Sequence, residues 1–541
     1  MKNKNLIYIC FATLMVGGFH ETLSAQSPVD ALQISQRDFK GTARFMSMGG
    51  AFTALGGDLS AINLNPAGIG VYRSSEIAAT LDIDIQGTKT QSPGLTVSNS
   101  QTKAYCNNFG YVGTVRLNSA LQTFSWGVTY NRAVSFDRLV GARAYPVNTS
   151  LTNYIAGFSN GYQADDLAFS KNYNPYLDSD NDWLSILAYN SYLINTPNGA
   201  SNRYIGLYQN GTESDAEMSV REKGYVDNYE FTFGGNISNL VYWGVGIGVN
   251  DLKYVRSTYY SESMANAAVY ADNAAGTTPG YAEYALYNDK IITGTGWNLS
   301  FGLIVKPIQE LRIGASITSP TWYKLDESYV GSVDYYMEPL NTNYNVLEGN
   351  EYTDDAYFSW RLRSPWRFNL GAAAVIGSNA IISVDYEMQA YKDMTMKTAY
   401  YDNWGYISGY EDNEFLDSEI DKYTQTANNL RIGLEYRITP KFSARLGYNL
   451  MMSSINADYR DGNNEVLTSG TDPSFSLDKN TNYISAGLGY KLGNFYVDAA
   501  YIHKAATSTL KPYTSYDGVR TPSFDVSENN NSIVLSLGFK F

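Results

Sequence analysis

The sequence contains few of the residues on which most catalytic and metal sites are built. Its 541 residues include two cysteines, Cys10 and Cys106, and two histidines, His20 and His503. Histidine is the commonest acid–base residue and the commonest protein ligand of metals, so this scarcity argues against either kind of centre. The sequence therefore predicts a protein that is not an enzyme and that holds no metal and no other cofactor.

Basic residues are also in deficit, and long apolar runs are missing. Lysine and arginine number 39 against 53 aspartates and glutamates, which gives a formal net charge of −14. This excess of negative charge disfavours nucleic acid as a partner, because nucleic-acid binding depends on neutralising phosphates. No apolar run of eighteen residues follows residue 25, so no transmembrane helix is expected.

The first 25 residues have the pattern of a secretory signal peptide. Lys2 and Lys4 form a positive start, residues 6–19 are apolar but too short to span a bilayer, and Ala25 ends a run of small residues. We therefore expect cleavage after Ala25. Cys10 and His20 leave with this segment, so no intrachain disulfide is expected.

The end of the sequence alternates strictly between apolar and small or polar residues. Ser536, Gly538 and Lys540 fall on one face of a predicted strand, and the opposite face is apolar: Ile533, Leu535, Leu537, Phe539 and Phe541. A strand with one apolar side and one polar side suits a wall between lipid and water. A terminal aromatic residue is typical of the last strand of bacterial outer-membrane barrels.

The same alternation recurs from residue 75 onward. We predict fourteen strands over residues 75–87, 104–117, 121–134, 225–238, 240–255, 291–306, 310–320, 359–374, 379–392, 427–438, 441–454, 481–491, 494–504 and 530–541. Tight turns alternate with long loops, over 136–224, 256–290, 321–358, 393–426, 455–480 and 505–529, as at the two ends of an outer-membrane barrel. Residues 75–541 are therefore predicted to form an all-β protein, a transmembrane antiparallel β-barrel of about fourteen strands, in the bacterial outer membrane. A β-sandwich fits less well, because its apolar faces would point inward.

Ionisable residues lie on the faces of these strands that are predicted to point into the lumen. The clearest are Asp385, Glu387, Arg431, Arg437 and Arg445. Buried charges need partners, so one interpretation is a structural network across the lumen or against a plug. The other is that the arginines bind the carboxylate of a ligand, since arginine suits bidentate pairing.

Residues 26–74 differ from the rest because they lack the alternation. Short helices are predicted over 29–35 and 58–64, with Asp58 as the N-cap of the second. Pro66 should end that helix, and Asn65 suits a tight turn. The segment is predicted to be a small folded plug that enters the lumen from below.

Two runs in this segment carry a family resemblance. Residues 41–54 read GTARFMSMGGAFTA and residues 58–68 read DLSAINLNPAG. They resemble the amino-terminal hatch of the FadL/OmpP1/TodX family of transporters of hydrophobic compounds. The resemblance is carried by Gly49, Gly50 and Gly68 and by the signature Asn65, Pro66 and Ala67.

The resemblance implies a monomeric channel that passively admits hydrophobic molecules such as long-chain fatty acids. The ligand would enter a pocket in the barrel, the hatch would rearrange, and the ligand would leave through an opening in the wall, which the family pattern places near Gly127. The alternatives are a channel for haem or other nutrients, since such relatives are sometimes labelled haemin receptors, and a surface adhesin or scaffold that works through its long loops.

Overall fold

The computed structural model of the protein describes residues 26–541, except 93–94, 198–199, 272–275, 378, 403, 463 and 516–518. The predicted signal peptide, residues 1–25, lies outside the described residues.

The wall is a closed antiparallel barrel of fourteen strands. It closes where β1 pairs with β22, from Glu76 beside Lys540 upward. Around the barrel the order is β1, β2, β3, β7, β8, β9, β10, β14, β15, β18, β19, β20, β21 and β22. The strands are β1 Glu76–Ser92, β2 Leu95–Arg116, β3 Leu121–Ser135, β4 Arg138–Val147, β5 Ile194–Asn195, β6 Ile205–Gly206, β7 Glu213–Ile237, β8 Val241–Tyr270, β9 Thr277–Val305, β10 Leu311–Thr318, β11 Trp322–Pro339, β12 Leu347–Tyr352, β13 Ala356–Arg363, β14 Arg367–Ile376, β15 Ala380–Ala390, β16 Thr395–Tyr401, β17 Ile407–Asp412, β18 Thr426–Arg437, β19 Phe442–Met451, β20 Phe475–Leu492, β21 Phe495–Lys511 and β22 Phe524–Lys540.

The predicted barrel of fourteen strands is confirmed, but the predicted loops are partly wrong. Residues 256–270 and 277–290 continue β8 and β9, which stay paired up to Tyr270 beside Thr277. In the same way, β21 and β22 continue far into the predicted loop 505–529. The prediction stopped too early because the outward residues become polar above the apolar belt, although the strand pairing goes on.

The outer surface of the barrel carries a belt of exposed apolar side chains. Leu81 is 61% exposed and Leu537 is 54% exposed, and both lie on the outward faces of their strands. Such a belt on a closed barrel is suited to lipid, because every backbone group within it is paired inside the wall. We call the end where Ser75 bonds to Phe541 the lower end. No helix within the described ranges has the length and apolar character needed to cross a bilayer.

The helices lie within the lumen or above the barrel, and the wall itself is made of strands. The plug contains α1 Pro28–Ser35, α2 Ala43–Ser47, α3 Leu59–Leu64 and the 3-10 helix Pro66–Val71. An insert above the barrel contains α4 Leu151–Ser159, α5 Ala164–Leu167, α6 Pro175–Asp178 and α7 Trp183–Asn190. Further helices in the described ranges are the 3-10 helix Tyr391–Asp393, α8 Glu414–Tyr423 and α9 Ala457–Arg460. The two predicted plug helices are confirmed, and Asp58 caps α3 by accepting a hydrogen bond from Ser60 N.

Buried apolar side chains form three main clusters. One packs α2 and its neighbours, including Phe45 and Phe52, against wall residues such as Ile502. Another joins α1 of the plug to α8 and the surrounding wall. A third packs the helices of the insert against the upper parts of β7, β8 and β9. The plug and the insert therefore each have a packed apolar interior.

Candidate functional site: the plug, its cavity and a parting in the wall

Asn65, Pro66 and Ala67 form a turn in which every polar group of the Asn65 side chain is used. Asn65 is fully buried and lies between α3 and the following 3-10 helix. Its Oδ1 accepts from Ala67 N at 3.0 Å, and its Nδ2 donates to Thr53 O at 2.7 Å. Nδ2 also reaches Leu303 O in the wall at 3.4 Å. The turn thus joins two parts of the plug to each other and to β9.

The wall makes room for this turn with glycines. A Cβ at Gly302 would lie 1.8 Å from Asn65 Oδ1, and one at Gly244 would lie 2.1 Å from Pro66 O. Neither contact is sterically possible, so any larger residue would displace the turn. Further lumen-facing glycines approach the plug in the same way: Gly314, Gly433, Gly447 and Gly487.

The three plug glycines of the predicted site also lie at close contacts. Gly49 has a φ of 62°, and its amide nitrogen would be 2.0 Å from a Cβ at Gly447. Gly50 has a φ of 77° and packs on Phe39. Gly68 packs on the backbone of Gly56 within the plug. These positions explain the glycines as packing requirements where plug and wall meet.

Charged side chains connect the plug to the wall. Arg44 of α2 binds Glu435 at 3.0 Å, and Arg445 binds the same carboxylate at 2.6 Å and Asp498 at 2.5 Å. Asp385, which is fully buried, accepts from Thr53 N of the plug at 2.7 Å.

The remaining predicted lumen charges divide into a pair and an outlier. Arg431 binds Glu387 at 2.7 Å, and both side chains are buried. Arg437 differs, because it is exposed at the lower end of β18 and lies outside the network. The structure therefore brings together four of the five predicted charges, Arg437 excepted, in ion pairs or in a hydrogen bond to the plug.

A cavity of about 200 Å³ lies beside the upper part of the plug. One part of its lining is apolar and contains Phe39, Met46, Met451, Tyr483 and Ile502. Another part is charged and contains Arg138, Glu222, Asp478, Lys504 and Glu528, whose ion pairs include Arg138 with Glu528 at 2.6 Å. The cavity is thus amphipathic, with a place for apolar groups and a place for polar ones.

The cavity reaches a parting in the wall between β2 and β3. Backbone pairing of these strands ends at Asn108 beside Asn131. Above that point β2 pairs only with β1, while the chain beyond β3 turns inward and continues as β4, which pairs with β7. Thr88 of β1 donates to Leu139 O of β4 at 2.6 Å, which places β4 along the inner side of the β1–β2 hairpin. The cavity lining includes Gln101 on one side of the parting and Asp137 on the other.

Side chains, not backbone hydrogen bonds, hold the parting closed. Tyr105 donates to Asp137 Oδ2 at 2.8 Å, and Lys103 lies 3.1 Å from Asp137 Oδ1. On the lumen side, Asp38 of the plug holds the bend in β3. Its amide donates to Ala133 O at 3.1 Å, and its carboxylate accepts from Ser135 N at 2.9 Å. The plug is therefore connected directly to the strand that leaves the wall.

The structure has no opening at Gly127, so the expectation of one there is wrong for this conformation. Gly127 pairs with Val112 on one side and with Thr232 on the other, so the wall is continuous there. Ile69 of the plug also covers this point from the lumen. The wall parts higher on the same strand, where the register shift between Arg132 and Val134 turns β3 inward.

Asp38, Tyr105 and Asp137 were missed in the sequence because they belong to no motif. Asp137 follows the last residue of the predicted third strand by three positions, and Asp38 lies in the link between two plug helices. A signal was present in the sequence of β2, where Asn107 forms a bulge that breaks the alternation. That bulge lies next to the point at which β2 and β3 separate.

Above the belt, Glu262 of β8 anchors the insert. Its carboxylate accepts from Leu151 N at 3.0 Å and from the hydroxyls of Ser150 and Tyr260, at the start of α4. Burial raises the pKa of the Glu262 carboxyl, and these hydrogen bonds oppose that rise. The anchor is therefore sensitive to its protonation state.

Comparison with known proteins finds similarity in structure but not in sequence. No family model matches the chain, and no curated protein matches it. The structure of a FadL homologue from Pseudomonas aeruginosa superposes with a TM-score of 0.50 at 13% identity, covering 93% of this chain and 99% of that one. The toluene transporters TodX of P. putida and TbuX of Ralstonia pickettii each share 13% identity over 93% of this chain and 99% of theirs, with lower TM-scores of 0.46 and 0.43.

The fold and the site define an outer-membrane β-barrel whose lumen holds an amino-terminal plug. More particularly, its fold is that of the FadL homologue, with fourteen strands and a helical segment at the amino end. At 13% identity this likeness concerns the fold alone.

Proposed function

We propose that this protein is a passive channel of the bacterial outer membrane that admits hydrophobic molecules such as long-chain fatty acids, with residues 26–74 as its gating hatch. The observation that supports this best is a cavity beside the plug that leads to a parting held only by side chains. A protein that served only as a scaffold would not need such a cavity.

The lining of the cavity favours a ligand with an apolar part and a polar part. Phe39, Tyr483 and Ile502 offer contacts to an alkyl chain. At the polar part, Arg138 and Lys504 pair with Glu528 at 2.6 Å and 3.6 Å, so a charged head group would have to compete with that carboxylate. One water molecule needs about 10–15 Å³ of cavity volume. A cavity of about 200 Å³ therefore has room for a large part of a slender ligand.

The contacts of Asp38 support a gating role for the plug. A movement of the plug would remove the two hydrogen bonds that Asp38 makes with β3, and the strand would be free to move at the parting. The turn at Asn65, Pro66 and Ala67 then serves as the fixed base of the plug, because its contacts with the wall are the tightest.

Uptake of labelled oleate and of haemin tests this proposal, in cells that produce the whole protein or a form without residues 41–70. We expect saturable uptake of oleate by the whole protein, and loss or leakiness without the hatch segment. Unchanged, saturable uptake after the deletion would contradict gating. Uptake of haemin in place of oleate would favour the alternative of a haem channel.

Surface attachment is the second candidate function. Three aromatic residues at the upper end are highly exposed, namely Trp404 at 85%, Tyr357 at 74% and Tyr406 at 72%. Large exposed aromatic side chains are common at interaction sites. If attachment is the function, the triple replacement of these residues by serine should abolish binding of cells to a surface and leave oleate uptake unchanged.

A further inference from the structure

A second, smaller cavity of about 20 Å³ adjoins the first and shares Gln36, Arg37 and Val134 with its lining. Residues 34–37 of the plug line it on one side. The wall contributes Thr321, which lies between β10 and β11, and Ser364 and Pro365, which lie between β13 and β14. These two wall segments are joined by a hydrogen bond from Thr321 N to Ser364 Oγ at 2.8 Å. The rest of the lining is Ala133, Val134, Val226, Tyr323 and Arg367. The cavity therefore lies where plug and wall meet.

Two arginines line this cavity, Arg37 from the plug and Arg367 from β14. Both are partly buried, and their charges repel each other. Within the described part of the chain, neither guanidinium has an ion pair or a hydrogen bond to a side chain or backbone group. Like charges in a poorly hydrated place are unfavourable unless a negative charge lies between them.

The carboxylates in the neighbourhood are already engaged with other groups. Glu387 binds Arg431 at 2.7 Å and accepts from Asn429 at 3.0 Å. Glu230 accepts from Ser300 at 3.0 Å. Glu230 lies close enough to attract both arginines, and Glu387 attracts Arg367. Among the described residues, however, neither carboxylate is hydrogen-bonded to Arg37 or Arg367, so this pair of cations has no directly bonded counter-ion.

Hydroxyl groups complete a set of donors around the cavity. The Ser35 residue is 8% exposed, and its Oγ is buried without a partner among the described residues. Ser364 Oγ accepts from Thr321 N, which leaves its own hydrogen free to donate. The residues that line this cavity thus include two arginines and two serines, and guanidinium and hydroxyl groups are donors suited to an anion. A cavity of this size holds one group of about the size of a water molecule.

We propose that Arg37, Arg367, Ser35 and Ser364 bind one small monovalent anion of the halide class, which connects the plug to the wall. The site adjoins the larger cavity and shares Gln36, Arg37 and Val134 with its lining, but it does not depend on the proposed transport function. Because residues 35–37 lead directly to Asp38, an anion here would stabilise the plug in the position in which it holds β3.

Bromide is the probe for the site in crystals of the purified protein. We expect an anomalous peak within hydrogen-bonding distance of both Arg37 and Arg367. Bromide peaks confined to the outer surface would overturn the proposal.

Thermal unfolding in detergent gives an independent test at constant ionic strength. Replacing sodium gluconate by sodium chloride should raise Tm with a saturable dependence, because an anion that binds only the folded state stabilises it. Arg37→Gln and Arg367→Gln should raise the chloride concentration at half-saturation by about tenfold or more, in line with the loss of a charge-assisted hydrogen bond. Ser35→Ala keeps both arginine charges and should weaken chloride binding less than the arginine substitutions do. It also provides a test if an arginine variant fails to fold.

Arg437→Gln is the matched control, because it removes an exposed lumen-facing arginine away from the cavity. It should keep the chloride dependence of the unaltered protein. An equal chloride dependence in the unaltered protein, Arg37→Gln and Ser35→Ala would contradict the proposal.

Discussion

The plug makes different kinds of contact with the two sides of the barrel. From β8 round to β20, glycines and ion pairs hold the plug against a wall whose strands stay paired. Between β2 and β3 the pairing stops, and the plug contacts a strand that has turned out of the wall. One side is therefore built for fixed packing, whereas the other is held by a few polar contacts that can be broken separately.

The largest effect is expected on the fixed side, at the buried pair of Arg431 and Glu387. Arg431→Ala should lower the free energy of unfolding by about 3–5 kcal/mol, because the Glu387 carboxylate stays buried without its partner. Urea unfolding in lipid vesicles, followed by tryptophan fluorescence, measures this change. Arg437→Ala is the control and should change the value by less than about 0.5 kcal/mol. Equal effects of the two substitutions would show that the pair does not stabilise the fold.

The glycine contacts should give the next largest effect. Gly302→Ala or Gly244→Ala should cost about 1–3 kcal/mol, because the new methyl group overlaps the turn at Asn65 and Pro66. Trypsin cleavage at Arg44 should become faster as the plug moves out of place. Ala79→Val adds carbon atoms on the lipid-facing side of β1 and should leave cleavage unchanged. A plug that stays protected in both glycine variants would contradict the packing described.

On the parted side, loss of a contact should change permeability more than stability. Asp38→Ala removes the carboxylate that accepts from Ser135 N, a bond to a charged group worth about 2 kcal/mol. That value corresponds to about a thirtyfold increase in the open population, to be measured as the initial rate of oleate entry into vesicles. Asp525→Ala, at an exposed position of β22, is the control. An unchanged rate of oleate entry in Asp38→Ala would show that the contact between the plug and β3 does not control the parting.

The smallest effect concerns the insert and its dependence on pH. Because burial raises the pKa of Glu262, the folded insert binds its proton more tightly than the unfolded chain does. Its stability should therefore be highest below the ordinary glutamate pKa of about 4.3 and should fall as pH rises through the higher pKa of the folded state. Proteolysis of the insert at several pH values, compared with a non-cleavable standard, measures this. Glu262→Gln should reduce the pH dependence, and Asp182 of the insert, whose pKa burial also raises, should account for what remains. An unchanged dependence in Glu262→Gln would contradict this assignment.

The wall could be predicted from the sequence because lipid imposes a simple rule. Residues such as Ile533, Leu535 and Leu537 alternate with small or polar neighbours. The outward face of each strand within the belt can therefore be recognised in the sequence. Above the belt that rule no longer applies. Residues of β8 near Glu262 stay in a strand because they pair with β9, and this pairing leaves no apolar signal outside.

The plug was predictable in its local structure and not in its contacts. Asp58 and Pro66 mark a helix start and a helix end by their own chemistry. The cavity and the parting depend on residues far apart in the chain, such as Asp38, Asp137 and Glu528. The inward turn of β3 brings these residues together, and no local sequence pattern specifies that turn.

Joining β2 and β3 tests most directly whether the cavity opens sideways between these two strands. In a Cys106→Ser background, Lys103→Cys and Asp137→Cys lie across the parting and can be linked by a short bifunctional maleimide. The linked protein should lose oleate uptake in vesicles, while the same variant treated with a monofunctional maleimide should keep it. Full uptake by completely linked protein would contradict the account.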